Sequence, residues 1–208
     1  VYALEKLAKE NPEYHTTIFE TLCAFVRDNA PFDTEIQVVR EEENKDVEKN
    51  NTHLNSEKKI LSNKTTVSAI ITVIGRRNQK AEEYPYLIDL RKVDLSNINF
   101  VQQNPQNQPA IFRQSNFLES KLDGANFFRA QLEKAFFYGA HLEGTLFAKA
   151  QLEGANFSEA QLKDVEFLEA QLKDVKFYKS NLEGANFTDA NLEGANFAMT
   201  QLKGAVFM

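Results

Sequence analysis

Residues 181–197 read NLEGANFTDANLEGANF, and this stretch decides the fold. A large apolar residue stands at every fifth position, at Leu182, Phe187, Leu192 and Phe197, and most of the residues between them are polar or glycine. A period of five matches neither the 3.6-residue period of an α-helix nor the two-residue alternation of a strand. Each group of five residues must therefore be a short extended segment followed by a corner.

The same period runs without a break from Ala110 to the end of the sequence and gives twenty consecutive repeats. Three earlier repeats, centred on Leu90, Leu95 and Phe100, are separated from them by residues 102–109, which are predicted to bulge out as a loop. Residues two apart in an extended segment point to the same side, so each large residue and its small predecessor are expected to face an interior. The predicted structural core consists of Phe117, Leu122, Phe127, Leu132, Phe137, Leu142, Phe147, Leu152, Phe157, Leu162, Phe167, Leu172, Phe177, Leu182, Phe187, Leu192, Phe197, Leu202 and Phe207.

Four such segments would close one coil of twenty residues, and successive coils would stack as parallel strands about 4.8 Å apart. Leu and Phe alternate along the repeats, so four sides per coil would place Phe above Phe on two opposite sides and Leu above Leu on the other two. Glycine recurs two places after the large residue, as at Gly184 and Gly194, where the backbone must turn. The sequence therefore predicts a mainly β fold, a four-sided parallel β-helix over residues 87–208.

Residues 1–86 are predicted to form a separate α-helical N-terminal domain. Apolar residues recur at helical spacing over 1–9 and again over 18–26, and Pro12 and Pro31 follow the two helices as stop signals.

Two segments of this domain need separate treatment. Residues 40–64 are dominated by Glu, Lys and Asn, and such a segment cannot offset its ordering entropy by burial, so it is predicted to be a mobile acidic insertion. Residues 65–75, TTVSAIITVIG, alternate like a strand, but their leading threonines and terminal glycine are typical of a helix. The helical interpretation is favoured.

The 208 residues carry a formal net charge of −6, with a pI near 5.2. This argues against the clustered Lys and Arg of a nucleic-acid-binding face, so no direct nucleic acid binding is expected. Cys23 stands alone and cannot form an internal disulfide, which favours a reducing compartment and a cytoplasmic location. No apolar run of about 18 residues and no secretory leader occurs, but a membrane tether upstream of Val1 stays an open alternative.

The stretches ANFSEAQLKD at 155–164 and NLEGANFTDANLEGANF at 181–197 resemble the pentapeptide-repeat proteins, a family abundant in cyanobacteria. The helical segment before the repeats also resembles the one in many of these proteins, although the insertion at 40–64 departs from that pattern. The resemblance implies a right-handed quadrilateral β-helix, capped at its first coil by α-helices. It implies little about activity, and the best understood members bind DNA gyrase as acidic, dimeric mimics of DNA.

The outward positions of the repeats suggest a structural or protein-interaction role. On the Phe sides several of these positions carry apolar side chains, and clustered exposed apolar area marks interaction sites. The alternative interpretation is that single apolar residues are ordinary on a protein surface. The candidate surface for an unidentified protein partner consists of Leu118, Phe128, Phe136, Tyr138, Leu146, Leu168 and Tyr178.

Two other function classes compete with this one. Inhibition of DNA gyrase by mimicry of DNA would need strong negative stripes, but the repeats from Ala110 carry 13 acidic and 10 basic residues. An enzyme or metal site has little support, because His15, His53 and His141 lack carboxylates or thiols at ligand spacing and no nucleophile motif or phosphate loop occurs. No catalytic residue, metal ligand or cofactor is therefore predicted.

The end of the repeats raises the question of self-association. A stack of parallel coils leaves an open edge at each end, and an exposed edge pairs readily with another chain. The helical segment can cover the first coil, but the sequence stops at Met208, directly after the core position Phe207. The expectation is a homodimer through the C-terminal coil or a cap that lies beyond this sequence.

Overall fold

The computed structural model describes residues 1–32, 52–76, 88–101 and 108–208, with the side chains of residues 12 and 52–63 excepted. The helical elements come first in the chain. They are α1 (Tyr2–Glu10), a 3₁₀ turn (Pro12–Tyr14), α2 (His15–Asn29) and α3 (Thr52–Gly75). The described residues from 88 onward belong to the repeats.

Helix α3 confirms one prediction and departs from another. Residues 65–75 are helical, as the favoured interpretation has it. The segment predicted as a mobile insertion over 40–64 was not expected to be helical, but its residues 52–64 form the first half of the same helix. Low apolar content does not prevent this, because Glu and Lys are good helix formers and an existing helix extends without the cost of a new nucleus. Residues 40–51 and most of the predicted loop at 102–109 lie outside the described residues.

The repeats form a stack of four-sided coils, called the rod below. The residue before each core position pairs in parallel with the residue twenty places later, as Phe136 does with Asn156 and His141 with Gln161. The core positions therefore line up in four columns, one for each side, and give five complete coils and three sides of a sixth. The sides are numbered in chain order: side 1 runs from Leu90 and Phe117 to Phe197, side 2 from Leu95 to Leu202, side 3 from Phe100 to Phe207, and side 4 from Phe112 to Leu192.

The interruption after the third repeat does not disturb this register. In the first coil Asn99 pairs with Asn126, a separation of 27 residues instead of 20. The interruption therefore adds seven residues to one coil. Phe100 still lies over Phe127 in the column of side 3, with the ring centroids 4.0 Å apart.

Each repeat that has a coil on both sides satisfies four of its five backbone N–H groups through a fixed pattern. Around Phe137, the N–H groups of Phe137 and Gly139 donate to carbonyls of the next coil, and the N–H of Phe136 donates to the previous coil. The N–H of Ala140 closes the corner by donating to the carbonyl of Phe137 at 3.1 Å. The remaining N–H, that of Tyr138, directly follows the core residue. The short sides are thus paired almost as fully as strands of a sheet.

The corner residue two places after a core position adopts a positive φ. Seven of these corners hold glycine, with φ between 62° and 74°, and fourteen hold other residues, with φ between 52° and 61°. Glycine is therefore not required for the turn, because the bonds to the coils above and below impose the left-handed conformation on Lys, Glu and Arg as well. At Gly184 a Cβ atom would overlap the carboxylate of Asp164 in the previous coil, and that exposed side chain would have to rotate away.

The interior contains two columns of Phe on opposite sides, as the alternation predicts. On side 1, the rings of Phe137 and Phe157 stack with centroids 4.7 Å apart and planes 1° apart. On side 3, the rings of Phe127 and Phe147 stack at 5.1 Å and 5°. The two columns meet edge to face across the interior, as Phe147 and Phe157 do at 5.6 Å. Edge-to-face contact is favourable for aromatic rings, so each ring is held from several directions.

Burial of the predicted core depends on position in the rod. All of its members from Phe117 to Phe187 are buried. The last four are not: Leu192 and Phe197 are half-buried, and Leu202 and Phe207 are exposed, Phe207 by 48%. The physical reason is that a core side chain is buried by the coil above and the coil below, and in this chain no further coil lies against these four.

The helices cover the opposite end of the rod. Helix α2 packs against α3, and Ile70, Ile71 and Ile74 of α3 are buried in one apolar cluster with the first coil. The N–H of Ile111 in the first coil donates to the carbonyl of Gly75 at 2.9 Å. The end of α3 therefore covers both apolar surface and part of the open edge of the first coil.

The segment after α2 closes another part of this edge. The N–H of Phe32 donates to the carbonyl of Lys92 at 2.7 Å, and the N–H of Asp94 donates to the carbonyl of Ala30 at 2.8 Å. Pro31 and Val93 form an antiparallel bridge between these two bonds. Backbone groups that are paired in this way are not available to another chain.

Candidate functional site

The outward residues of the repeats lie in columns, one column before and one after the core position of each side. The seven predicted partner residues fall on two sides: Leu118, Phe136, Tyr138 and Tyr178 on side 1, and Phe128, Leu146 and Leu168 on side 3. Sides 1 and 3 of a four-sided coil face in opposite directions. The seven residues therefore form two surfaces on opposite sides of the rod.

Side 1 carries the larger apolar group. Phe136 is 45% exposed, Tyr138 and Tyr178 are 36% exposed each, and Leu118 is half-buried. Phe136 and Tyr138 flank the same core position, Leu118 lies one coil above Tyr138, and Tyr178 lies two coils below it. Ser158 stands between the two tyrosines in their column and is only 9% exposed. These side chains form a continuous strip along the rod.

Charged neighbours hold the two tyrosines in place. The hydroxyl of Tyr138 donates a hydrogen bond to the carboxylate of Glu159, and this bond, with partial desolvation and the charges of Glu159 and Glu119, raises the pKa of Tyr138. Glu159 also lies 3.9 Å from the ammonium group of Lys179. That ammonium group lies 5.2 Å from the ring centroid of Tyr178. Rings that are fixed in advance lose less conformational entropy when a partner binds.

The column before the core position supplies hydrogen-bond donors to side 1. The side-chain oxygens of Asn116, Asn156 and Asn196 accept the leftover N–H group of their own repeat, at 3.0, 3.0 and 2.9 Å. This pattern fixes which end of each amide is the oxygen, and it leaves the NH₂ group as the end that can meet a ligand. These asparagines were not among the residues predicted from the sequence. The recurrence of Asn directly before a core Phe could have identified them.

Phe136 and Lys176 occupy two other positions of this column and break its pattern. Phe136 occupies the position of Asn116 and Asn156 in the neighbouring coils, but phenylalanine has no oxygen to accept the N–H of Tyr138. Among the described residues, that N–H has no side-chain partner. Since a polar residue would serve the β-helix better here, the presence of an exposed ring is not explained by the requirements of the fold.

Side 3 is less suited to a ligand. Phe128 and Leu146 are exposed, but Leu168 is half-buried, and tyrosine is absent from this part of the described rod. The amide NH₂ group of Asn186 donates to the carboxylate of Glu166 at 2.9 Å, one coil away. On side 3 the oxygen of Asn126 also accepts the N–H of Phe128, at 2.9 Å, so amide donors occur on both sides. The rings of Tyr138 and Tyr178 are what distinguish side 1.

Sides 2 and 4 are lined by charges that pair between coils. On side 2, Lys163 lies 4.0 Å from Glu143. On side 4, Lys173 lies 2.9 Å from Glu193, and the hydrogen bond between them raises the pKa of Lys173. Exposed pairs of this kind contribute little to stability. They do interrupt the acidic columns, so neither side presents a continuous negative stripe.

The histidines serve in packing contacts. His15 packs against Phe19 with ring centroids 4.6 Å apart, and His141 meets Phe32 edge to face at 5.2 Å. The side chain of His53 lies outside the described residues. Within the described ranges, no three His, Cys, Asp or Glu side chains come together as a metal site would require. In the same ranges, none of the helices has the length and apolar character needed to cross a membrane.

Comparison with known protein families identifies the repeats. Residues 130–207 match the sequence model described as the pentapeptide repeat region. No curated protein sequence matches the chain.

Three solved structures are similar to part of the chain. Rfr23, a pentapeptide repeat protein from the cyanobacterium Cyanothece 51142, is 24% identical over 58% of this chain and 88% of its own, with a TM-score of 0.45. A pentapeptide repeat protein from the thylakoid lumen of Arabidopsis thaliana is 34% identical over 48% of this chain and 68% of its own, with a TM-score of 0.37. QnrB1, a plasmid-mediated fluoroquinolone resistance protein, is 16% identical over 59% of this chain and 62% of its own, with a TM-score of 0.47.

Proposed function

Because the chain belongs to the pentapeptide-repeat family, we propose that it works as a non-enzymatic protein-interaction module. The rod, wound right-handed as the family resemblance implies, is the rigid scaffold. The α-helices before the repeats are its N-terminal cap. Side 1 is the surface that meets a protein partner.

The exposure of Phe136 is the observation that carries this proposal. An asparagine at this position would accept the N–H of Tyr138, as Asn116 and Asn156 do for their own repeats, and would stabilise the fold by about 0.5–1.5 kcal/mol. A ring kept in water where a polar residue is more stable is typical of a binding site, where function is maintained at a cost in stability. The fixed rings of Tyr138 and Tyr178 support the same conclusion.

Affinity capture with matched variants tests the proposal. The immobilised chain is compared with Phe136→Asn and Tyr178→Ala on side 1 and with Phe128→Ala on side 3, each checked for an unchanged circular dichroism spectrum. The expected result is a protein captured from an extract of the source cell by the unaltered chain and by Phe128→Ala, and lost with both side 1 variants. Capture that does not change with the side 1 variants would show that this surface is not the binding site.

We also propose that a second copy of the chain pairs with the exposed end of the rod. Phe207 is half exposed there, and Met199 and Met208 of the same coil are 70% and 81% exposed. Sedimentation should show an average mass that rises with protein concentration, and Met199→Lys combined with Met208→Lys should shift it to the monomer. A mass that stays monomeric at every concentration would end this proposal.

Gyrase inhibition by charge mimicry is the weaker alternative. The inter-coil pairs, such as Lys163 with Glu143 and Lys173 with Glu193, place cations inside the columns that would have to imitate a phosphate backbone. A supercoiling assay separates the two functions, because an interaction module of the kind proposed leaves gyrase activity unchanged. A cytoplasmic location and a tether upstream of Val1 stay predictions.

A further inference from the structure

Side 1 is a narrow strip, and its shape limits what can bind there. Its six coils span about 29 Å along the rod, and its outward residues span about 10 Å across. The flat area is therefore on the order of 300 Å², whereas each partner in a standard protein complex contributes about 800 Å². A second rod would present a side of the same width and could not exceed that area. A peptide chain laid along the strip fits its shape.

The spacing of the tyrosines selects the conformation of such a peptide. Tyr138 and Tyr178 are two coils apart, which is about 9.6 Å, and the small Ser158 lies between them. A polyproline II helix repeats its face every three residues, or about 9.3 Å. In a β-strand, side chains on one face recur about every 6.6 Å, a spacing that does not match the distance between the two rings. Proline-rich segments are recognised by surfaces lined with aromatic rings.

The hydrogen-bonding groups of side 1 select the same ligand. The oxygens of Asn116 and Asn156 are used by their own repeats, so the groups left for a ligand are the amide NH₂ donors. The ammonium group of Lys176 stands in the same column and is a further donor. Proline has a carbonyl acceptor and no N–H, and a polyproline II helix makes no internal hydrogen bonds. A surface of rings and donors therefore matches a chain of prolines better than a strand, whose N–H groups would need acceptors.

We propose that side 1 binds a proline-rich peptide in the polyproline II conformation, laid along the rod across Tyr138, Ser158 and Tyr178. The amides of Asn116 and Asn156 donate to its carbonyls. This inference rests on the proposed function of side 1 as a binding surface and names the chemistry of the partner segment.

A fluorescein-labelled decaproline peptide, about 31 Å long when fully extended as polyproline II, is the probe. The control peptide has the same length and label, with every second proline replaced by alanine. Fluorescence polarisation with the full chain should show saturable binding of decaproline and at least fivefold weaker binding of the control, because alanine removes the preformed conformation.

Three variants locate the binding. Tyr178→Ala should weaken it at least tenfold, since a central aromatic contact is lost. Asn156→Asp keeps an oxygen for the N–H of Ser158 but replaces the amide donor with an acceptor, so it should weaken binding about fivefold to tenfold without altering the fold. Phe128→Ala on side 3 should bind as the unaltered chain does.

The outcomes separate this inference from the proposed function. Absence of saturable decaproline binding, while the side 1 variants still abolish capture of a protein, overturns the proline-rich ligand and leaves side 1 as a binding surface. Equal affinity for the two peptides overturns the polyproline II conformation. Decaproline binding that is unaffected by both Tyr178→Ala and Asn156→Asp overturns the assignment to side 1.

Discussion

Replacement of Phe157 by alanine tests whether stacked rings hold the rod together. Phe157 is fully buried and lies between Phe137, at 4.7 Å, and Phe177, at 5.5 Å, in its own column. Phe147 and Phe167 meet it edge to face at 5.6 and 5.8 Å. Alanine would leave a cavity lined by four rings. The hydrogen bonds between coils would keep that cavity from collapsing.

The expected loss of stability follows from this geometry. Truncation of a buried phenylalanine costs about 3–5 kcal/mol, and the cost is highest where the surroundings cannot relax. Phe157→Ala should therefore lie in the upper half of this range. Phe207→Ala is the matched control, because Phe207 is 48% exposed and meets two rings instead of four: Phe187 stacked at 4.9 Å and Phe197 edge to face at 6.0 Å. With about half of the ring already in water, its loss should be about 1 kcal/mol.

Unfolding in guanidinium, followed by far-ultraviolet circular dichroism, measures the difference. Repeat arrays do not always unfold in one step, so hydrogen exchange of the amides in the coils around residue 157 is measured alongside. Phe157→Ala should lower the midpoint far more than Phe207→Ala and reduce protection mainly in the adjacent coils. Equal losses for the two variants would refute the claim that stacking between coils determines stability.

Three further predictions concern the corners and side 1. Gly144→Ala should cost about 1 kcal/mol because of its positive φ, and Gly184→Ala about the same, since the Asp164 carboxylate that its Cβ would overlap is exposed and can rotate away; a large difference between the two unfolding midpoints would contradict this. Phe136→Asn should raise the free energy of unfolding by about 0.5–1.5 kcal/mol, and a lower midpoint in guanidinium would contradict it. Glu159→Gln should lower the pKa of Tyr138, measured by tyrosinate absorbance. Because the raised pKa belongs to the folded state, its contribution to stability is complete below the unfolded pKa of 10.0 and is lost as the pH rises through the folded value.

The β-helix could be predicted because every fifth residue has the same environment. Once Phe137 and Phe157 are placed in one column, the pairing of Phe136 with Asn156 and the turn after Phe137 follow from the period alone. The positive φ at Lys134 was not visible in the sequence, because lysine carries no preference for it and the neighbouring coils impose it.

Other features depend on contacts that a local pattern does not contain. By composition, residues 52–64 resemble a solvated insertion. They nevertheless belong to a helix whose C-terminal half packs against the first coil through Ile70, Ile71 and Ile74. Leu202 and Phe207 fit the core pattern as well as Leu162 and Phe167 do, yet their burial depends on a coil that this chain does not place against them.

In a rod of this kind the departures from the repeat carry the functional information. The repeat fixes what each position needs for stability, because each coil contacts only its neighbours and equivalent positions have equivalent surroundings. Asn116 and Asn156 meet the need of their position by accepting an N–H group. Lys176 and Phe136 stand in the same column and do not, and of these two Phe136 leaves an apolar ring in water. Since Tyr138 and Tyr178 lie on the same strip, a ligand that crosses several coils of side 1 accounts for all three residues at once.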